Sequence, residues 1–451
     1  MTKNKKIAIY GFGKEGVSAA NFLGQNNDVS IIDDKTKKEI DPIFFSNLRI
    51  KNVKFYFDSK YPKDLNFDLI VRSPGVQFSH PFIQKALKKG ITLTSPTKIF
   101  FDLCPCPIVG VTGTKGKGTT ASLIHRMLET QSSNVYLAGN IGIPALDILP
   151  KLTRASIVVL ELSSFQLLDL KKSPHIAVVL MLTSEHLDWH KDTYEYREAK
   201  ESIVAYQAKN DFAVINQDFQ AAKSFSQKTK AQVYFFSTEN QTNGTYLSAD
   251  KIISNIEGPE EICKTSQILL PGKHNLQNVL AAVAVAKIQN IKKTNIVKVL
   301  STFKGLAHRL QLVGEIDEVK FINDSYSTIP ETTIAAIDAF ENPKILILGG
   351  SSKNSNFTSL GRTINQDDSI KTILLIGREA KRIKEAITAA GGTKANILEG
   401  AKNMRQIVNL AKSCAQPGDI IVLSPACASF DMFKNYQDRG EKFALEVENF
   451  K

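Results

Sequence analysis

Cysteine is scarce in this chain: five residues (Cys104, Cys106, Cys263, Cys414 and Cys427) among 451 are too few for a disulfide framework. Cys104 and Cys106 flank Pro105 with no second thiol pair or neighbouring histidine in the sequence, so they read as structural residues rather than a metal site. Long apolar runs are missing too. Ile176–Leu182 is seven residues, far short of the roughly eighteen that a membrane helix needs. The start, Met1-Thr-Lys-Asn-Lys-Lys, has no apolar signal core and no small-residue cleavage site. No stretch interleaves basic and aromatic residues in the manner of a nucleic-acid module, and no internal repeat or low-complexity tract is present. The expectation is a soluble cytoplasmic protein that binds neither membrane nor nucleic acid.

What the chain does contain is ordinary globular usage, 43% hydrophobic and 23% charged, which excludes disordered and fibrous classes. The formal charge of +12 suits small anionic substrates such as nucleotides and carboxylates. At about 100–200 residues per domain the length predicts three domains. Short β-branched runs recur at Lys6–Tyr10, Val29–Ile32, Leu69–Val71, Ile108–Val111, Ile157–Leu162, Ile176–Leu182, Ala213–Asn216, Lys344–Leu348, Thr372–Ile376 and Ile420–Leu423. Helical periodicity fills the gaps, so the runs predict parallel sheets buried on both faces. The pattern restarts after Cys104-Pro-Cys-Pro107 and again near Thr302–Arg309. Three α/β domains at 1–99, 100–306 and 307–451 follow, with a small antiparallel excursion in the polar stretch 217–270.

Ile108–Val111 runs straight into Thr112-Gly-Thr-Lys-Gly-Lys-Gly-Thr-Thr120. A helix follows, with Ala121, Ile124, Met127 and Leu128 on one face. Strand, glycine loop, lysine and helix is an arrangement that binds nucleotide phosphates. Glycines let backbone N–H groups approach the oxygens, the helix N-terminus adds positive potential, and Lys117 supplies a cation. Gly118 stands where such loops place a Mg²⁺-binding hydroxyl, so either Thr119 or Thr120 supplies it or the metal is held only by the nucleotide and carboxylates. A second glycine loop, Gly11-Phe-Gly-Lys-Glu-Gly16, follows the first strand, with Asp33 at the end of the next. That spacing suits a dinucleotide and raises a dehydrogenase as the rival reading. Two phosphate-binding units a hundred residues apart, with no hydride chemistry downstream, point instead to two phosphorylated substrates.

In open parallel sheets ligands gather at the carboxyl ends of the strands. Glu161 ends one apolar run, while His186 and Asp188 follow another. A carboxylate at such a tip, beside a phosphate loop, is placed to bind Mg²⁺ through oxygen. In the helical stretch Thr193–Gln207, Lys200 shares a face with Tyr196, Ala199, Ile203 and Tyr206. It is either a snorkelling lysine or a desolvated one whose neutral amine can take up CO₂ as a carbamate.

These blocks together resemble the Mur ligase family over essentially the whole chain. The resemblance rests on Val111-Thr-Gly-Thr-Lys-Gly-Lys117, Gly139-Asn-Ile-Gly-Ile-Pro144, Leu160-Glu-Leu-Ser-Ser-Phe-Gln166, Glu185-His-Leu-Asp188 and Tyr196-Arg-Glu-Ala-Lys200. It continues through Gly272-Lys-His-Asn-Leu-Gln-Asn278, Gly305-Leu-Ala-His-Arg309, Ile322-Asn-Asp-Ser325 and Leu423-Ser-Pro-Ala-Cys-Ala-Ser429. It implies an N-terminal Rossmann-like domain, a central P-loop ATPase-like domain and a C-terminal Rossmann-like domain. The implied activity is ATP-dependent addition of glutamate to UDP-N-acetylmuramoyl-L-alanine through an acyl phosphate, in peptidoglycan precursor synthesis, by a monomer. The D enantiomer is expected; related ligases add L-glutamate with much the same motifs.

The resemblance also implies roles. Gly113, Thr114, Lys115, Gly116, Lys117, Gly118 and Thr119 would surround the ATP phosphates, and Asn278, Arg309 and Asp324 would contact the adenine nucleotide. Two Mg²⁺ ions would be held by Glu161, His186, carbamylated Lys200 and the Thr119 hydroxyl. Uridine diphosphate would lie on Gly13, Lys14, Glu15 and Asp34 or Lys35, with Asn140 reaching the substrate. Glutamate would sit on Thr328, Lys353 and Ser429, near the backbone or ring of Tyr436. Three departures from the family pattern stand out: Gly118 lacks the usual hydroxyl, Tyr326 replaces a lysine common there, and Lys14-Glu15 replace smaller or neutral residues.

Overall fold

A computed structural model of the chain describes residues 3–62, 64–183, 192–270, 272, 274–351 and 355–450. They form two compact units, Met1–Gln267 with Leu276–Leu300, and Ile268–Asn275 with Ser301–Lys451. The first unit carries two sheets and the second carries one. Among the described residues no helix is long and apolar enough to cross a membrane.

The first sheet contains β1 (Lys6–Tyr10), β2 (Asp28–Ile32), β3 (Lys54–Tyr56), β4 (Leu69–Arg72) and β5 (Thr92–Thr94). Its order is β3-β2-β1-β4-β5, parallel throughout. Side chains alternate across the strand: Ile7 and Ile9 enter one core, Ala8 and Tyr10 the other, as burial on both faces requires. Strand order reverses beside β1, which opens a crevice at its carboxyl end, where Gly11–Gly16 lies.

The second sheet holds β6 (Ile108–Thr112), β7 (Val135–Gly139), β8 (Ile157–Glu161), β9 (Ile176–Val179), β10 (Phe212–Asn216), β11 (Gln232–Ser237), β12 (Thr245–Ser248), β13 (Lys251–Ser254) and β14 (Glu260–Lys264). The order is β14-β13-β12-β11-β10-β9-β6-β8-β7. Pairing is parallel from β7 to β12, and β13 and β14 then add antiparallel. That hairpin is the expected excursion within 217–270. β6 is buried along its whole length between β9 and β8, so the phosphate loop springs from an interior strand. The run at 176–182 leaves the sheet after Val179 for a local reason. Leu180 N–H donates to Thr112 O (2.9 Å) and Met181 O accepts from Thr114 N–H (2.7 Å), so this segment follows the phosphate loop instead.

The third sheet comprises β15 (Gln311–Ile316), β16 (Val319–Asn323), β17 (Lys344–Gly349), β18 (Ile370–Ile376), β19 (Asn396–Leu398) and β20 (Ile420–Leu423), in the order β15-β16-β20-β17-β18-β19. Only the β15–β16 hairpin is antiparallel. Leu346 and Leu348 pack into one core while Ile345 and Ile347 pack into the other.

Candidate active site

Gly116 N-caps the Lys117–Glu129 helix with φ +85°, a left-handed conformation that glycine adopts without steric cost. A Cβ there would lie 2.1 Å from Asn278 Oδ1, so the position admits glycine only. Thr114 braces the loop: its Oγ1 donates to Thr183 O (3.1 Å), accepts from Thr183 N–H (2.9 Å) and meets Tyr196 OH at 3.1 Å. Lys115 is exposed, Gly118 is buried, and Lys117 and Thr119 are half-buried. The Thr120 hydroxyl donates to Asn278 Oδ1 (3.2 Å), which leaves Thr119 as the uncommitted candidate for a metal hydroxyl. Lys117 Nζ donates to Gly113 O (3.1 Å) and Thr114 O (2.9 Å).

Lys200 reaches the same loop from the Thr193–Ala205 helix. It is 2% exposed and its Nζ donates to Gly113 O (3.0 Å) and Thr112 Oγ1 (3.3 Å), over the face of Tyr196 at 4.8 Å. Tyr196, Ala199 and Ile203 are buried beside it as expected. Tyr206 is not on that face: it follows the helix end and is 51% exposed. Two lysine side chains therefore share one backbone carbonyl at the phosphate loop.

Glu161 lies at the tip of β8, in register with Val111 of β6 and Gly139 of β7. It is buried at 3% exposure. Its Oε1 accepts from Asn140 Nδ2 (3.1 Å), and Asn140 N–H donates to Glu161 O (3.0 Å). Mg²⁺ takes hard oxygen donors and leaves part of its shell to phosphate and water. A buried carboxylate held by one amide at the sheet's carboxyl edge, and the Thr119 hydroxyl, fit such an ion. Among the described residues no group of three or more His, Cys, Asp or Glu forms a metal cage. His186 and Asp188 lie outside the described residues.

At the N-terminal loop, Asp33 is spent on the backbone: Phe12 N–H donates to Oδ2 (2.7 Å) and Lys35 N–H to Oδ1 (2.9 Å). It therefore braces the loop rather than waiting for a ribose, which removes the main prop of the dehydrogenase reading. Asp34, by contrast, is ringed by side chains. Tyr10 OH donates to it at 2.8–2.9 Å, Tyr61 OH also donates, and His80 Nε2 lies at 3.5 Å. Burial, with the Tyr61 and Asp34 contacts adding to it, drives the Tyr10 phenol well above its ordinary pKa. Gly13 has open space around its Cβ direction. Lys14 donates to Gly142 O, and Ser18 Oγ donates to Asp147 Oδ1 (2.6 Å). These contacts tie the first glycine loop to the segment bearing Asn140. Burial pushes the Glu15 carboxyl up to about 7, against the pull of Lys14 and with Asp147 adding to it. Arg72, fully buried, donates to Val76 O (2.7 Å), Phe165 O (3.3 Å) and Asp169 Oδ1 (3.2 Å). It straps the first sheet to the second.

In the second unit Arg309 sits between His308 (φ +63°) and Leu310 (φ +45°). Such strain in non-glycine residues gathers where a side chain must be held. The Arg309 guanidinium lies over the Tyr326 ring at 3.8 Å, and Tyr326 meets Tyr436 edge-on at 5.0 Å. Asp324 accepts from Leu310 N–H (3.1 Å) and Ser424 Oγ (2.7 Å). Burial raises its pKa to about 6 against those hydrogen bonds and Arg309. Thr328 is half-buried just before the Pro330–Asp338 helix, and Ser429 is buried beyond β20. Lys353 lies outside the described residues. Sequence reasoning did not single out Arg439, fully buried, whose guanidinium donates to Ser325 Oγ and O (2.8 Å each) and Cys427 O (3.1 Å). It fastens the Asp324-Ser325 turn to the loop after β20. A cation so deep in a chain reads as surface from sequence alone, because its partners are backbone oxygens and one serine hydroxyl from distant parts of the chain.

Residues 5–95 match the Mur ligase MurD-like N-terminal domain, 111–286 the Mur ligase middle domain, and 308–427 the Mur ligase glutamate ligase domain. The chain belongs to the Mur ligase family. Among its relatives is a UDP-N-acetylmuramoylalanine–D-glutamate ligase of Acetivibrio thermocellus, 37% identical over 449 residues, 98% of this chain and 96% of that one. Another of the same name, from Clostridium kluyveri, is 38% identical over 446 residues, again 98% and 96% of the two chains. Among solved structures, the UDP-N-acetylmuramate-alanine ligase MurC of Thermotoga maritima has a TM-score of 0.61 at 17% identity, covering 99% of this chain and 100% of that one. The MurF ligase of the same organism, solved in complex with ADP, has a TM-score of 0.58 at 17% identity, covering 98% and 99%. These two likenesses are of fold.

Proposed function

We propose that this chain joins D-glutamate to the alanyl carboxylate of UDP-N-acetylmuramoyl-L-alanine, splitting ATP to ADP and phosphate. It does so as a cytoplasmic monomer in peptidoglycan precursor synthesis. The observation that carries the reading is the convergence of Lys117 and Lys200 on Gly113 O, at 3.1 and 3.0 Å, in a middle domain of this family. In that site both ammonium groups donate to neutral carbonyls. A triphosphate offers charged oxygens, whose hydrogen bonds are shorter and about twice as strong, so Lys117 exchanges its carbonyls for the β- and γ-phosphates.

Residues 1–99 hold the uridine nucleotide on the glycine loop and Asp34, residues 100–306 hold ATP, and residues 307–451 hold glutamate and contribute Arg309 and Asp324. The substrate carboxylate attacks the γ-phosphorus in line, and ADP leaves. The glutamate amine then attacks the acyl phosphate, and collapse of the tetrahedral intermediate expels phosphate. Phosphoryl transfer of this kind needs positioning and charge neutralisation more than covalent help. Two Mg²⁺ ions, which Glu161, Thr119, His186 and a carbamylated Lys200 would hold, would supply further neutralisation of the phosphates. Asn140 orients Glu161 for that role. Burial of Lys200 supports a carbamate, because desolvation favours the neutral amine that adds CO₂ and releases a proton; the Tyr196 face favours the ammonium and competes with it.

Phosphate release from UDP-N-acetylmuramoyl-L-alanine and ATP tests the assignment, with each glutamate enantiomer offered in turn. Release with D-glutamate alone supports it. Release indifferent to both, or driven by lysine or meso-diaminopimelate, overturns it. Lys200→Ala is expected to lose activity that bicarbonate or a short carboxylate partly restores; an unimpaired variant removes the carbamate.

A further inference from the structure

At the amino end of β6, opposite the phosphate loop, Cys104 and Cys106 bring their sulfur atoms to 3.6 Å. Cys104 closes the Pro96–Leu103 helix in an extended conformation (φ −63°, ψ 120°), and the ring of Pro105 fixes the next φ. The pair is held close by a segment with little freedom. Both thiols are half-buried and line a cavity of about 290 Å³ together with Lys171, Lys172, His175 and Tyr206. Lys172 pairs with Asp102 (2.6 Å) and His175 Nδ1 with Asp211 (2.8 Å), whereas Lys171 has no ion pair among the described residues. No third His, Cys, Asp or Glu among those residues joins the thiols in a metal-binding group. The chemistry left to two adjacent thiols beside a cationic cavity is exchange with a disulfide.

We propose that Cys104 and Cys106 are a redox-active dithiol that reduces an anionic low-molecular-weight disulfide bound on the Lys171 side of this cavity. The Cys104 thiolate attacks one sulfur of the disulfide RSSR, and the first RS⁻ leaves and takes up a proton. Cys106 then gives its proton to solvent and its sulfur attacks Cys104 Sγ, expelling the second RS⁻. Two protein thiols and one RSSR thus become one protein disulfide and two RSH, with electrons and protons balanced. Closure needs the sulfurs to move from 3.6 Å to about 2.05 Å. Burial, with Cys104 adding to it, pushes the Cys106 thiol up, the direction expected of a resolving rather than an attacking sulfur. The disulfide would lock the helix end onto the strand that carries the phosphate loop.

Glutathione disulfide, incubated with the full-length native protein, tests the proposal by thiol titration and peptide mapping. Two of the five thiols should vanish, with a loss of two hydrogen masses in the peptide joining Cys104 and Cys106. Cys106→Ser should instead accumulate one glutathione adduct on Cys104. Lys171→Glu with Lys172→Glu should slow the reaction several-fold with glutathione disulfide and leave the rate with neutral hydroxyethyl disulfide unchanged. Five titratable thiols after incubation, or loss mapped to Cys263, Cys414 or Cys427, overturns the dithiol. Equal slowing with both reagents overturns the anion-binding cavity.

Discussion

Lys117 gathers the loop around its own ammonium through Gly113 O and Thr114 O, carbonyls that a triphosphate would displace. Lys117→Ala is expected to cost roughly 10²–10³ in kcat, the range for removing one positioned donor from a developing charge, read by phosphate release. Glu15 gives a different kind of test. Its pKa stands at about 7 rather than the ordinary 4.5, so the folded chain keeps a proton that the unfolded chain releases. Stability therefore falls as pH rises from about 4.5 to about 7. Glu15→Gln should flatten that fall, seen as denaturation midpoints that change less between about pH 5 and about pH 8; an unchanged slope would place the effect elsewhere. The Tyr326 ring carries the Arg309 guanidinium at 3.8 Å. Tyr326→Ala should forfeit about 0.5–2 kcal/mol of that contact and raise KM for ATP, while Tyr326→Phe keeps both. Equal behaviour of the two variants would deny the stack any positioning role.

At the scale of the element, the phosphate loop depends on one left-handed residue. Gly116→Ala meets both the φ of +85° and the Asn278 oxygen at 2.1 Å, so it should lower stability by about 1–3 kcal/mol and abolish nucleotide binding, measured by chemical denaturation and by titration with a non-hydrolysable ATP analogue. Gly13→Ala, in open space, should leave stability unchanged. The loop was legible in the sequence because its conformation demands glycine at fixed places. The central strands were legible because burial on both faces writes continuous β-branched runs. Three-residue edge strands such as β3 and β5 lack that signature: their residues are exposed or half-buried. The β15–β16 hairpin also escaped, since its two-residue turn uses Asp317 and Glu318 at φ +51° and +59° instead of an Asn-Gly signal. Around the site, Lys200 and Glu161 announced themselves by position on a helix face and at a strand tip. Arg439, Tyr61 and His80 did not, because their partners are brought in from distant parts of the chain.

At the scale of the molecule, three sheets divide the work between two compact units. In the first unit Lys14, Ser18 and Arg72 bind the nucleotide-type loop of one sheet to the Asn140–Glu161 edge of the next, so the two are built as one piece. That construction suits a reaction in which a carboxylate borne by one nucleotide must meet the terminal phosphate of another. The most direct measurement follows an oxygen atom. UDP-N-acetylmuramoyl-L-alanine labelled with ¹⁸O in its alanyl carboxylate, supplied with ATP and D-glutamate, should give inorganic phosphate carrying one labelled oxygen, and Lys117→Ala should give almost none. Phosphate released without label would mean that the carboxyl group is never phosphorylated, and the account of this site would be wrong.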